Sequence, residues 1–104
     1  MIRVTVLYSS TAQRFDYDYY YLNKHTPMLL ELWKPHGLSK IEINKGVTGM
    51  GPGVGPDYVT ITVLTFESID AMQGALAASG PKVLADIPNF TDVQLQVQVN
   101  EVLM

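Results

Sequence analysis

The chain is 104 residues long, with a net charge of −3 and a hydrophobic share of 47%, which suits one folded domain, residues 1–104, of a common size. Its 7 Lys and Arg form no run, which excludes the clustered basic surface that displaces counterions from nucleic acid. With no cysteine, disulfides, thiolate nucleophiles and thiolate metal sites are excluded together.

The chain opens in strand-like alternation: Ile2, Val4, Val6 and Tyr8 point one way, Arg3, Thr5 and Leu7 the other. This pattern starts at the second residue and leaves no room for a signal peptide. No apolar run approaches the roughly 20 residues of a membrane span. The expected location is cytoplasmic, with no membrane partner. A polar loop then leads to Phe15-Asp-Tyr-Asp-Tyr-Tyr-Tyr-Leu-Asn-Lys-His-Thr-Pro-Met28. This reads as a helix running to about Trp33. Tyr17, Tyr21, His25, Met28 and Leu32 follow steps of four and three and share one stripe, apolar except at His25. Asp16 or Asp18 caps it, both acids standing at the positive end of its dipole. Pro27 has no N–H for the carbonyl of Asn23 and crowds that turn. Helical bonding is therefore expected to lapse beside His25, and Pro35-His-Gly37 ends the helix.

Leu38 to Val47 reads as a second strand, with Ile41, Ile43 and the stem of Lys45 opposite Lys40, Glu42 and Asn44. The next stretch, with glycines at 49, 51, 53 and 55, holds no regular element. No Lys-Ser/Thr follows a glycine and no helix comes next, so it reads as a mobile hairpin loop and not a phosphate cradle. Tyr58 to Phe66 is the third strand, with Val59, Ile61 and Val63 on one face and Tyr58, Thr60, Thr62 and Leu64 on the other. Ser68 caps a second helix whose core stripe reads Ile69, Met72, Ala75 and Leu76, and Gly80-Pro81 ends it. Lys82 to Asn89 reads as a helical turn and a loop. Thr91 to Val102 is the clearest strand, Val93, Leu95, Val97 and Val99 alternating with Asp92, Gln94, Gln96, Gln98 and Asn100.

Strand, helix, strand, strand, helix, strand predicts an α+β, ferredoxin-like βαββαβ fold: an antiparallel four-stranded sheet with both helices on one face. The apolar sets belong under the helices. The other face is expected to carry Thr5, Thr60, Thr62, Gln94, Gln96 and Gln98, neutral side chains suited to a surface that is covered but wet. Two such faces in a homodimer would enclose a polar-lined barrel cavity, with Thr60, Thr62 and Gln96 as candidate binding residues.

At this point the chain resembles the EthD family, named for ethyl tert-butyl ether degradation, whose fold is the dimeric α+β barrel. The resemblance runs essentially end to end. It rests on Phe15-Asp16-x-Asp18 with Tyr20-Tyr21-Leu-Asn23-Lys-His25-x-Pro27, and on Ala85-Asp86-Ile87-Pro88-Asn89-Phe90-Thr91-Asp92. One departure is that three tyrosines follow the acidic pair where the family pattern has two. The extra residue leaves both Asp16 and Asp18 open as the cap. The resemblance implies a homodimer with a pocket between helices and sheet or inside the barrel. Relatives with this fold include cofactor-independent oxygenases, cyclases and lactone isomerases, and also accessory proteins of oxidative degradation.

His25 is the leading candidate catalytic residue, a general acid or base near neutral pH; the alternative is a structural histidine bonded to a loop carbonyl. Tyr20 and Tyr21 either orient a ligand through their hydroxyls or pack as core and dimer contacts. Asp86 is either the carboxylate that orients His25 or the cap of its turn. Trp33 reads as packing and His36 as a solvated turn residue. The two histidines lack an HxxxH or HxH spacing, and no cofactor or metal motif is present. The expected function is binding of a small hydrophobic, oxygen-bearing molecule, with His25 serving isomerisation, cyclisation or cofactorless oxygenation. The alternative is a non-catalytic ligand-binding or accessory protein.

Overall fold

A computed structural model describes residues 1–104. Strands β1 (Ile2–Ser9), β2 (Leu38–Lys45), β3 (Tyr58–Phe66) and β4 (Leu95–Glu101) form one antiparallel sheet in the order β2-β3-β1-β4. Between β1 and β2 run a π-helix, Tyr17–His25, and helix α1, Thr26–Trp33; α2, Ile69–Asp86, connects β3 to β4. This is the ferredoxin-like arrangement. Leu29 and Trp33 of α1 and Met72, Ala75 and Val83 of α2 bury one core with Ile2, Val4, Leu38, Leu64 and Phe66 of the sheet. Both helices therefore lie on one face.

The helical entry resolves the choice of cap: the Asp16 carboxylate accepts the Tyr19 N–H at 3.1 Å. The helix then opens with bonds of the i to i−5 kind, from Tyr21 N–H to Asp16 O and from Thr26 N–H to Tyr21 O. This wider turn takes in the third tyrosine and ends where Pro27, near the start of α1, has no N–H to give. It also corrects the buried stripe. Tyr21, His25, Leu29 and Trp33 are buried, at steps of four throughout, whereas Met28 and Leu32 are only half-buried. Gly37 turns the chain into β2 at φ +96°, where a Cβ would come within 2.9 Å of Ala71 Cβ.

Further expectations are overturned. Cross-strand pairing places Thr62 beside Val6 and Ile43, and Thr60 beside Tyr8 and Lys45. Thr60 and Thr62 therefore lie on the helix-covered face, at 0% and 2% exposure, and the open face of β3 is Ile61 and Val63. The reason is hydrogen bonding: each threonine hydroxyl meets a tyrosine hydroxyl descending from the π-helix, Thr60 that of Tyr17 and Thr62 that of Tyr21. In α2, Ser68 Oγ caps by accepting the Ala71 N–H, but Ile69 and Leu76 are 48% and 44% exposed. The helix does not stop at Gly80-Pro81. It breaks at Ser79 (φ −151°, ψ 16°) and resumes to Asp86, followed by a 3-10 turn, Ile87–Asn89. Regular pairing of β4 starts at Leu95; Thr91 makes only an isolated bridge with Phe15.

Candidate functional site

Two distant stretches are stitched together at the start of the π-helix. Asp16 N–H donates to Phe90 O at 2.8 Å and Thr91 Oγ1 donates to Arg14 O at 2.8 Å. The Asp92 carboxylate accepts the backbone N–H groups of Gln13 and Arg14. These contacts bring the end of α2 alongside the π-helix, so residues 61 positions apart meet: His25 Nδ1 lies 2.8 Å from Asp86 Oδ2.

Asp86 thus faces His25, and the imidazole bonds this carboxylate and no loop carbonyl. The other carboxylate oxygen, Oδ1, accepts the Tyr20 hydroxyl at 2.5 Å and the Asn89 side-chain amide at 2.9 Å. Asn89 also donates to the Tyr20 hydroxyl at 3.0 Å. Burial pushes the Asp86 carboxyl up, but the hydrogen bonds from Tyr20, His25 and Asn89 outweigh it and hold the group below its ordinary value. For His25, burial dominates and pulls the imidazole below its ordinary 6.5, with Asp86 opposing. At neutral pH the pair is therefore a neutral imidazole donating its Nδ1–H to a carboxylate. That fixes the tautomer and leaves the Nε2 lone pair as the free acceptor.

The ring packs against two aromatic neighbours that also touch each other. Tyr21 stacks on it at 5.6 Å between centroids with the planes 17° apart, and Phe90 lies 4.6 Å away. At 2% exposure, His25 forms part of the wall of a cavity of about 220 Å³ between the helices and the sheet. Val6, Leu29, Trp33, Val83 and Val97 supply much of the apolar lining, and no charged side chain takes part. The lining residues that carry a polar side-chain group are His25, Thr62, Tyr8, Tyr21 and Trp33. Burial pushes both tyrosines up, so each keeps its proton.

The structure brings together His25, Asp86, Tyr20, Tyr21 and Thr62. Tyr20 reaches the site through Asp86 and does not line the cavity. Thr60 bonds Tyr17 outside it, and Gln96 lies across the sheet, paired with Leu7 on the open face. Sequence reasoning missed Tyr8, Trp33 and Asn89. For Tyr8 the signal was chemical: an inward-facing strand position that ends an aliphatic series with a hydroxyl. Asn89 stood in a quoted motif without a role.

The shared architecture extends to known proteins. The structure matches an EthD-like protein from Ralstonia eutropha JMP134 with a TM-score of 0.89 and 29% identity, covering 99% of this chain and 92% of that one. It matches an EthD family protein from Bacillus halodurans C-125 with a TM-score of 0.68 and 20% identity, covering 99% of both, a likeness of fold alone. No curated protein matches the sequence significantly. The EthD domain model matches residues 11–94, a span that holds the π-helix, the Asp86 turn and every residue of the His25 network; the chain belongs to the EthD family.

Proposed function

We propose that this protein binds a small hydrophobic, oxygen-bearing molecule in the cavity between helices and sheet, with His25 as general acid/base. The observation that carries the reading is the imidazole itself. It is buried in an apolar wall, with Nδ1 committed to Asp86 and Nε2 left without a protein partner. A structural histidine gains nothing from that open acceptor, whereas a base needs it. The volume of about 220 Å³ lies between the roughly 150 Å³ that holds benzene and the roughly 300–1,000 Å³ of drug-sized sites. The occupant is then about one ring with a few substituents. Proton transfers of the kind used in isomerisation, cyclisation or cofactorless oxygenation all begin from such a base.

The second reading, a ligand-binding accessory protein without chemistry, is favoured by the uncharged lining. A His25→Ala variant separates the two when binding and turnover are measured independently. Retained binding with lost turnover supports acid/base catalysis; unchanged turnover rules it out.

The same proposal includes a homodimer joined through the open sheet face. Its centre is Thr5, Leu7, Ile61 and Val63, all half-buried although no layer covers them, flanked by Gln96, Gln98 and Asn44. No helix is long and apolar enough to cross a membrane.

A further inference from the structure

The cavity holds a second polar feature besides the imidazole. Tyr8, Tyr21 and Thr62, each with a hydroxyl, line it from β1, the π-helix and β3. Tyr21 and Thr62 hydrogen-bond one another, and the Tyr8 hydroxyl has no hydrogen-bond partner in the protein. None of the three bonds a backbone carbonyl or any other side chain. Three hydroxyls carry three protons, and the Tyr21–Thr62 bond uses one of them. The others are therefore left for whatever fills the cavity. The three residues are themselves only 1–3% exposed.

Resting on the reading of His25 as a base, we propose that the Tyr8–Tyr21–Thr62 hydroxyl cluster is a hydrogen-bond donor for a developing oxyanion, and that the substrate is a neutral cyclic carbonyl compound with an acidic α C–H. The lining argues for this class. With no Lys or Arg on the wall, an anionic substrate would enter without a counter-charge. A neutral ketone or lactone enters at little electrostatic cost and offers the two features the cavity complements: an oxygen for the cluster and a proton for Nε2. In the step, the α C–H bond breaks and a proton bonds to Nε2. The electron pair moves into a C=C bond and onto the carbonyl oxygen, where the cluster donates to it. The imidazolium formed lies against the Asp86 carboxylate, and it returns its proton to carbon at the same or a conjugated position. The product is an isomer or the re-protonated substrate, with no oxidant or second reactant consumed. Donors held in place for charge that develops only along the reaction are an effective form of stabilisation.

The test uses cyclohex-2-enone in deuterated buffer, with binding followed by the fluorescence of Trp33, the one tryptophan and part of the cavity wall. Deuterium uptake at carbon, read by mass spectrometry or NMR, reports the chemistry. The expected result is saturable binding and catalysed uptake in the wild type, and loss of uptake in His25→Gln. In Tyr8→Phe/Tyr21→Phe, which preserves ring volume, uptake falls by about 100-fold with binding kept. If the wild type binds the enone but exchanges nothing, or the double variant exchanges as fast as wild type, this proposal fails while the cavity stands. If no quenching of Trp33 occurs at all, the small-molecule reading of the cavity fails with it.

Discussion

At the scale of single residues, the chemistry of the site is decided by how Asp86 divides its two oxygens. Oδ1 is occupied by Tyr20 and Asn89, so Oδ2 is left for His25. Burial holds the imidazole below 6.5 in the folded chain, with the carboxylate opposing. NMR titration of His25 should therefore give a pKa below 6.5, with the proton on Nδ1 in the neutral form. In Asp86→Asn the opposing charge is gone and the value should fall further; a rise would show that burial is not the dominant cause. The linkage has a definite sign. Because the folded pKa lies below the unfolded 6.5, the unfolded chain binds more protons between the two values, and stability falls as pH drops through that window. The Asp86 carboxyl, also lowered, loses its contribution as pH falls below 3.8. Both groups thus act in the same direction, and acid denaturation followed by circular dichroism should set in below pH 6.5, with stability flat above that point as far as these two groups are concerned.

At the scale of elements, the break in α2 has a fixed partner. Trp33 is 3% exposed and its Nε1–H donates to Ser79 Oγ at 2.7 Å, at the one non-helical residue of the helix. Ser79→Ala removes the acceptor and strands a buried donor, which costs about 1–3 kcal/mol; urea unfolding should show a lower midpoint with an unchanged slope. An unchanged midpoint would mean that the break stands without this bond. The same break explains why the end of the second helix was hard to see from the sequence. Gly80-Pro81 is a strong stop signal, but Pro81 in the first turn of a resumed helix has no bond to lose. Other elements were legible because one rule sufficed: β3 spans the predicted residues, and Ser68 caps as its side chain dictates. The face of β3 was not legible, since Ile and Val on one side and Thr with Leu on the other suggest the reverse of the truth. Only the tyrosine hydroxyls above make threonine the inward residue. In the site, His25, Asp86, Tyr20 and Tyr21 stood in motifs. Tyr8 did not, because an aromatic closing an apolar strand is indistinguishable from core until its hydroxyl is placed.

At the scale of the whole molecule, the layers are unbalanced. The fold is a slab of 42 × 34 × 19 Å, with helices on one face of the sheet and nothing on the other. Domains are ordinarily built so that each apolar sheet face is packed, and on this face the row Asn44, Ile61, Leu7, Gln96 runs apolar in the middle and polar at both rims. That is the composition of an interface core with its rim. Leu7→Glu tests it with a side chain that changes no contact beneath the helices. In a twofold dimer it would place a like-charged pair at the centre of a desolvated contact. Wild-type protein should sediment at twice the chain mass of 11.5 kDa, and Leu7→Glu at the monomer mass with its circular dichroism retained. A wild type that remains monomeric at micromolar concentration would remove the dimer from the proposed function. Because Leu7 and the His25 cavity lie on opposite faces of the sheet, the monomeric variant should keep the lowered His25 titration. Loss of that titration would instead show that the second copy helps to close the site.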